Sequence, residues 1–238
     1  LTGQHEANPF MGFRSIRMAR RHPGLFARQL RAILRAAEGE TVNILFPMIS
    51  RVEELGFLRK LLNQCRDDLT REGIPHAGDL RVGVLVEVPA VAFAIKRIVR
   101  MVDFISIGSN DLTQYLMAAD RDNPRVAHLC QPYNPILFRL VRRILRAASE
   151  AGKPVTICGE MAGEPRCLLP LLGLGLRRFS MAAALLPSVK ELLRRVTLED
   201  AKEAATAVCR MSTFKAVRRY LTNRTHEIMP DLNLIEGD

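Results

Sequence analysis

Five strand-like runs alternate with helical segments along this chain, and this order constrains the fold more than any other sequence feature. The runs are short, rich in Val, Ile, Leu or Phe, and lie at residues 42–46, 82–88, 102–107, 154–158 and 178–182. Between them, apolar residues recur at helical spacing, as at Leu55, Leu58 and Leu62. Because strands that alternate with helices form parallel βαβ units, we predict an α/β fold with a parallel sheet.

Polar residues occur where three of these runs end. Glu87 lies near the end of the second run, Asn110 and Asp111 follow the third, and Cys158 ends the fourth. In β/α barrels the functional side chains gather at the carboxyl ends of the strands, so we predict a (β/α)8 TIM-type barrel rather than an open sheet. Such a barrel needs more strands than these five, and we expect this one to lack its first strands.

The pattern predicts three parts of the chain. Residues 1–196 form the barrel, residues 197–222 a C-terminal helix that begins at a Thr197/Asp200 capping box, and residues 223–238 a tail without a strong pattern. The first seven residues, 1–7, carry neither an initiating Met nor a signal-peptide pattern, and we expect them to be an internal boundary of a longer protein.

Composition narrows the class of protein. With 48% apolar residues the chain can bury a substantial core, and no apolar run is long enough to cross a membrane. The cysteines are odd in number and form no CxxC pair, which argues against a disulfide framework or a zinc ribbon; they are Cys65, Cys130, Cys158, Cys167 and Cys209. We therefore expect a cytoplasmic protein.

The net charge of +10 favours anionic ligands such as phosphates. A nucleic-acid interface would need a concentrated basic stripe with interleaved aromatic residues. Here aromatic residues are only 5%, Trp is absent and the arginines are spread along helical segments. Solvated helix faces explain these arginines better, and we expect no nucleic-acid partner.

Two carboxylates at neighbouring strand ends, Glu87 and Asp111, are candidate ligands for Mg²⁺, which fills its remaining positions with substrate oxygens and water. In the alternative, each accepts hydrogen bonds from loop amides or arginines. Cys158 could be a nucleophile, a proton donor or a buried structural residue. Arg14 and Arg121 follow loop signals and could clamp a phosphate, or Arg121 could simply pair with a flanking aspartate.

Seven motifs together resemble a known family. They are NPFMGFRSIR, LFPMIS, VGVLVEVPA, DFISIGSNDLTQY, AADRDNP, LCQPYNP and TICGEMAGEP. In this order, over residues 8–196, they resemble the phosphoenolpyruvate-binding barrel of the bacterial phosphotransferase-system Enzyme I or its nitrogen-related paralogue. The resemblance implies a phosphoenolpyruvate–protein phosphotransferase, a transferase that works in the cytoplasm.

The resemblance also implies roles for single residues. It assigns Mg²⁺ to Glu87 and Asp111, and makes Cys158 the general acid/base at the methylene carbon of enolpyruvate. The residues that it places on the substrate are Asn110, Asp111, Arg121 and Arg14. It further implies a homodimer and a histidine-containing phosphocarrier protein as partner, and leaves open the sugar-transport and nitrogen-regulatory branches.

The chain also departs from this family. The phosphoryl acceptor of the family is a histidine in a separate Gly-rich N-terminal domain, and none of the five histidines here lies in such a setting. Two arginine motifs of the first barrel strands are absent as well. We therefore expect that this chain alone does not complete phosphoryl transfer to a carrier. The alternative is a non-catalytic fragment that binds phosphoenolpyruvate or only dimerises.

Overall fold

A computed structural model describes residues 6–231, which form one parallel sheet and its surrounding helices. The strands are β1 Asn43–Phe46, β2 Arg81–Val86, β3 Phe104–Gly108, β4 Val155–Cys158 and β5 Arg178–Ser180. The helices are α1 Ile16–Arg21, α2 Pro23–Ala36, α3 Val52–Arg71, α4 Pro89–Phe93, α5 Ile95–Ile98, α6 Ser109–Met117, α7 Pro135–Glu150, α8 Glu160–Gly163, α9 Pro165–Gly173, α10 Leu186–Arg195, α11 Leu198–Arg210 and α12 Phe214–Ile228. Short 3-10 helices lie at Pro9–Met11, Ala127–Leu129 and Ala183–Leu185.

The strands pair in sequence order, β1-β2-β3-β4-β5, and every pair is parallel. Each connection between neighbouring strands contains at least one helix, as parallel crossovers require. The predicted parallel α/β fold is confirmed, and all five strands lie where the sequence placed them, to within a few residues at their ends. A sheet in sequence order is the arrangement of a β/α barrel.

Local signals explain where several helices begin. The Asn134 side chain accepts a hydrogen bond from the Ile136 amide at 2.9 Å, and Pro135 occupies the first turn of α7. The predicted capping box is also present, since Thr197 and Asp200 exchange hydrogen bonds at the start of α11. These caps satisfy amides that have no partner inside their own helix.

One continuous core joins the sheet to its helices. Val84, Ile105 and Ile157 on three neighbouring strands are fully buried, as are Leu58 of α3 and Phe138 of α7. Near-continuous apolar burial is what a parallel strand covered by helices requires. A smaller cluster joins α9, α10 and α11, so the C-terminal helices pack against the barrel rather than standing apart.

The predicted C-terminal helix over residues 197–222 is wrong in its extent. Helix α11 ends at Arg210, and α12 begins at Phe214 after Thr213 accepts a hydrogen bond from the Ala216 amide at 3.3 Å. The expected tail from residue 223 is partly wrong too, because α12 continues to Ile228 with its inner face buried. Residues 232–238 lie outside the described part of the chain, and the domain boundary at residue 196 stays a prediction.

Two predictions from composition concern the whole chain. All five cysteines lie within residues 6–231 and are free, as expected. Among the helices of residues 6–231, none combines the length and the apolar character that a bilayer crossing demands.

Candidate functional site

The carboxyl ends of β2, β3 and β4 bring the predicted polar side chains to one rim of the sheet. Glu87 directly follows β2, and Asp111 lies in the first turn of α6 immediately after β3. Cys158 is the last residue of β4 and pairs in register with Gly108. A Cβ atom at Gly108 would lie 3.1 Å from Cβ of Glu87 and 3.2 Å from its Oε2, so the missing side chain leaves room for this carboxylate. Neighbouring strands therefore supply two carboxylates and a thiol to one rim.

Glu87 is a buried carboxylate, with only 4% of its surface exposed. Its Oε1 accepts a hydrogen bond from the Met48 amide at 2.6 Å. Met48 itself has a φ of 57°, an uncommon conformation for a non-glycine residue, and this loop after β1 delivers its amide to the rim. Burial raises the pKa of Glu87 to about 7, and the charge of Asp111 adds to the rise. The Met48 amide and the rim arginines act in the opposite direction.

Asp111 lies between two arginines. Arg121 Nη1 donates to Asp111 Oδ1 at 2.7 Å, and Arg14 Nη1 lies 3.4 Å from Asp111 Oδ2. The Asp111 side chain is 10% exposed, whereas the arginines are about a third exposed, at 36% for Arg14 and 31% for Arg121. Within residues 6–231, Arg121 makes its ion pair with Asp111 and not with the flanking Asp120 or Asp122. The structure thus joins three predicted site residues from three separate segments.

An aromatic ring in the N-terminal segment lies beside both arginines. The guanidinium carbon of Arg121 is 5.0 Å from the centre of the Phe10 ring, and that of Arg14 is 6.0 Å away. Tyr115 of α6 fixes this segment by donating its hydroxyl hydrogen to the Phe10 carbonyl at 2.6 Å. Gln114 Oε1 accepts from the Arg121 amide at 3.1 Å and so orients the second arginine. Phe10 and Tyr115 had no role in the sequence analysis, although both lie in the motifs that carried the resemblance.

Asn110 connects the loop after β3 to the loop after β4. Its Oδ1 accepts a hydrogen bond from the Glu160 amide at 2.8 Å, and Ser109 Oγ donates to the Cys158 carbonyl at 2.8 Å. Between these loops, Gly159 adopts a φ of 93°. The Asn110 carbonyl oxygen is therefore occupied by the protein, while its NH₂ group makes no hydrogen bond within the described chain.

Cys158 is half-buried and held by weak hydrogen bonds to the strands. Its Sγ donates to the Ile107 carbonyl at 3.5 Å and lies 3.7 Å from Ser106 Oγ. Within residues 6–231, no histidine is among the hydrogen-bond partners of this sulfur. The described residues therefore do not give Cys158 the histidine partner of a Cys–His nucleophile pair.

A cavity of about 270 Å³ opens beside these residues. Its lining includes Asn110, Arg121, Cys130, Gln131 and Glu160. Sequence analysis gave Cys130 and Gln131 no function, and only their position in the LCQPYNP motif signalled them. Arg121 is the basic residue of this lining, and the carboxylates of Asp122 and Glu160 lie in the same lining.

A buried ion pair supports this side of the rim. Arg166 is 7% exposed and donates to both oxygens of Glu164, at 2.6 Å and 3.2 Å. The guanidinium carbon of Arg166 lies 5.0 Å from the centre of the Tyr133 ring. These contacts join the segment before α9 to the segment before α7, both of which border the cavity, and sequence analysis missed them.

The donor set suits a hard divalent cation. Glu87 and Asp111 offer carboxylate oxygens just after adjacent strands, and the charge of Asp111 acts on the Glu87 carboxyl. Within residues 6–231, no cluster of three or more His, Cys, Asp or Glu residues could hold a metal by itself. Mg²⁺ does not need such a cluster, because it is often held by one or two carboxylates together with substrate phosphate and water. The chain thus fits Mg²⁺ better than zinc.

Comparison with known proteins identifies close relatives. The family model for the PEP-binding domain of PEP-utilising enzymes matches residues 1–198. A multiphosphoryl transfer protein of Escherichia coli O6:H1 is 42% identical over 222 residues, covering 93% of this chain and 27% of that protein. A phosphoenolpyruvate-protein phosphotransferase of Staphylococcus carnosus is 42% identical over 212 residues, covering 89% of this chain and 37% of that protein. The chain therefore spans well under half the length of these relatives.

Comparison of structures supports the fold. A crystal structure of a citrate lyase from Burkholderia xenovorans superimposes with a TM-score of 0.52 at 19% identity, covering 84% of this chain and 67% of that chain. At this identity the similarity concerns the fold alone. It confirms the predicted class, a TIM-type β/α barrel, to which the described residues contribute five parallel strands.

Proposed function

The chain belongs to the PEP-binding domain family of PEP-utilising enzymes, and on this premise we propose that it binds phosphoenolpyruvate at the rim formed by β2, β3 and β4. We propose further that it is the barrel part of a phosphoenolpyruvate–protein phosphotransferase, since relatives of that name share 42% of its residues over most of its length. In this function the barrel releases pyruvate while the phosphoryl group passes to a histidine outside the barrel.

The observation that carries the proposal is the position of Asp111 between two arginines. Each carboxylate oxygen of Asp111 forms an ion pair with a guanidinium group, Oδ1 with that of Arg121 and Oδ2 with that of Arg14. A phosphate or carboxylate of the substrate is the natural replacement, because guanidinium binds these groups with paired hydrogen bonds. Once the substrate takes the arginines, the oxygens of Asp111 become available to a cation. The same exchange explains why the Asp111 carboxylate and two guanidinium cations lie together at this rim.

Glu87 and Asp111 would hold Mg²⁺, which when bound neutralises charge on the phosphoryl and enolate oxygens. The residues of the chain do the remaining work. Arg121 and Arg14 bind and orient the phosphate, with the Phe10 ring beside both guanidinium groups. The NH₂ group of Asn110 donates to a substrate oxygen, because its carbonyl oxygen is already bonded to the Glu160 amide.

Cys158 delivers the proton that completes pyruvate. The electron pair of the enolate double bond takes the proton from Sγ, so that a methyl group and a ketone form and a thiolate remains. The thiol starts in the protonated form, donating to the Ile107 carbonyl. A phosphocarrier protein, an acceptor histidine on a separate domain and a homodimer complete the proposal.

Phosphoenolpyruvate binding by the chain can be measured by isothermal titration calorimetry with and without Mg²⁺. We expect Mg²⁺-dependent binding that Asp111→Ala abolishes. Asp120→Ala is the matched control, because it removes a carboxylate next to Arg121 that forms no ion pair with it. Equal loss in both variants, or binding that ignores Mg²⁺, would contradict the proposed site.

The role of Cys158 needs a separate readout. In D₂O, we expect the chain with Mg²⁺ to exchange the methyl protons of pyruvate, measured by proton NMR. Cys158→Ala should still bind phosphoenolpyruvate but lose exchange. Cys130→Ala should retain exchange, because it removes another half-buried thiol, one that lines the neighbouring cavity. Exchange that survives in Cys158→Ala would exclude this thiol as the acid. Binding without exchange in the unmodified chain would instead favour a non-catalytic phosphoenolpyruvate-binding fragment.

A further inference from the structure

A second cavity lies at the opposite end of the sheet from the rim. Its volume is about 790 Å³, and it opens where β4 and β5 begin, at Val155 and Arg178. One wall is the C-terminal half of α7, residues 142–150, and the other is the loop between α9 and β5, residues 174–177. Small-molecule sites in proteins typically measure about 300–1,000 Å³, so the size suits a ligand of that kind.

The lining of this cavity is strongly basic. It contains five basic side chains and one carboxylate, that of Glu150; the basic residues are Arg142, Arg146, Lys153, Arg177 and Arg178. Glu150 is already paired with Arg146 at 2.9 Å. Arg177 donates to the Leu172 and Leu176 carbonyls. The side chains of Arg142, Lys153 and Arg178 make no hydrogen bond or ion pair within residues 6–231.

The charge continues along α7. Arg139 and Arg142, like Arg143 and Arg146, are three residues apart, and Arg139 and Arg143, like Arg142 and Arg146, are four apart, so all four share one face of the helix. Like charges at these spacings destabilise a helix, and here Glu150 alone opposes them on this face. A neighbouring cavity of about 650 Å³ is lined by the same arginines together with Lys96. Solvated surface charge does not require such crowding, whereas a bound anion would relieve it.

The floor of the larger cavity is apolar. Leu145 and Leu176 are buried there, and Pro154, Val155 and Leu174 are half-buried. Basic side chains around an apolar floor match a ligand in which several negative charges are attached to an apolar group. Guanidinium groups bind phosphate with paired, charge-assisted hydrogen bonds, which makes phosphate the best match for four clustered arginines.

We propose that this cavity is a binding site for a small polyphosphate, with its phosphate groups on Arg142, Lys153 and Arg178 and any apolar part on the floor formed by Leu145 and Leu176. The site is separate from the phosphoenolpyruvate rim, because it lies at the amino end of β4, whereas the carboxyl end of β4 contributes to that rim. It requires neither Mg²⁺ nor the residues around Asp111.

The test is calorimetric titration of the whole chain with tripolyphosphate, and in parallel with ATP, in EDTA at about 0.15 M salt, where long-range attraction is screened. We expect both to bind, and ATP to bind several-fold more tightly because its base can cover the apolar floor. The double variant Arg142→Gln/Arg178→Gln should weaken both at least tenfold. Because these side chains are exposed, the variant should keep the circular dichroism spectrum and melting temperature of the unmodified chain.

Two comparisons can overturn the proposal. Arg28→Gln/Arg35→Gln removes the same charge from exposed positions of α2, and an equal loss of binding there would show that only net charge matters. Arg121→Gln should leave tripolyphosphate binding unchanged; if it abolishes binding, the ligand occupies the rim instead. Binding of a short DNA duplex without binding of tripolyphosphate would mean an extended polyanion surface rather than this cavity. Equal affinities for tripolyphosphate and ATP would remove the role given to the apolar floor.

Discussion

Replacing Gly159 by alanine should both destabilise the fold and displace Asn110. Gly159 has φ 93° and ψ −172°, a region that is open almost only to glycine. A Cβ atom there would overlap Asn110 Oδ1 and lie 2.5 Å from Ser109 Oγ. The added methyl group therefore strains the backbone and forces the Asn110 side chain away from the Glu160 amide.

The expected cost follows from these two effects. A side chain in this region of backbone space costs about 1–3 kcal/mol. Loss of the 2.8 Å hydrogen bond from the Glu160 amide to Asn110 adds about 0.5–1.5 kcal/mol. The free energy of unfolding should therefore fall by about 1.5–4.5 kcal/mol. Phosphoenolpyruvate binding should weaken as well, because the NH₂ group of Asn110 loses its orientation.

Urea denaturation followed by circular dichroism measures the first effect. Gly152→Ala is a matched control, since Gly152 has a φ of 64° but no heavy atom within 4 Å of the added Cβ. In that variant the free energy of unfolding should fall only by the cost of a left-handed backbone at alanine, about 1 kcal/mol, and phosphoenolpyruvate should bind normally. If Gly159→Ala is no less stable than Gly152→Ala and binds equally well, the packing of Gly159 against Asn110 has no energetic importance and the reasoning fails.

Three further outcomes can be measured by denaturation. The pKa of Glu87 is raised to about 7 from an ordinary 4.5, which means that the native state holds this proton more tightly than the unfolded state. In EDTA, the free energy of unfolding should therefore fall by up to about 3 kcal/mol as the pH rises from 4.5 to about 7. Glu87→Gln should remove this fall. Gly173→Ala should cost about 1–3 kcal/mol, because its Cβ would overlap the Ala201 carbonyl of α11; no loss would mean that α9 and α11 separate freely. Arg166→Met should cost about 3 kcal/mol by leaving Glu164 without its cation, and a neutral result would show that solvent replaces the pair.

Much of the fold could be predicted because its signals are local. Apolar periodicity located the strands, and Thr197 with Asp200 marked the start of α11 correctly. The break after Arg210 was missed, since it depends on Thr213 capping a second helix. Beyond residue 222, α12 continues with Thr225 buried and ends just before the buried Met229. Tertiary burial, rather than helix propensity, decided those boundaries.

The candidate site divides in the same way. Sequence alone identified Glu87, Asn110, Asp111 and Cys158 as residues of one rim, because parallel strands must bring their carboxyl ends together. It left open whether Arg121 clamps a phosphate or pairs with a flanking aspartate, and it did not predict the ion pair with Asp111. That choice depends on loop geometry.

The sequence itself thus determined the order of strands and helices, the polar residues at the strand ends, and the family. Only the tertiary structure decided the contact between Phe10 and Tyr115, which are 105 residues apart, the raised pKa of Glu87, and the basic cavity formed by α7 and the loop before β5. The physical reason is that periodicity and capping act within a few residues. Burial and electrostatic pairing depend instead on which distant segments the packed sheet brings together.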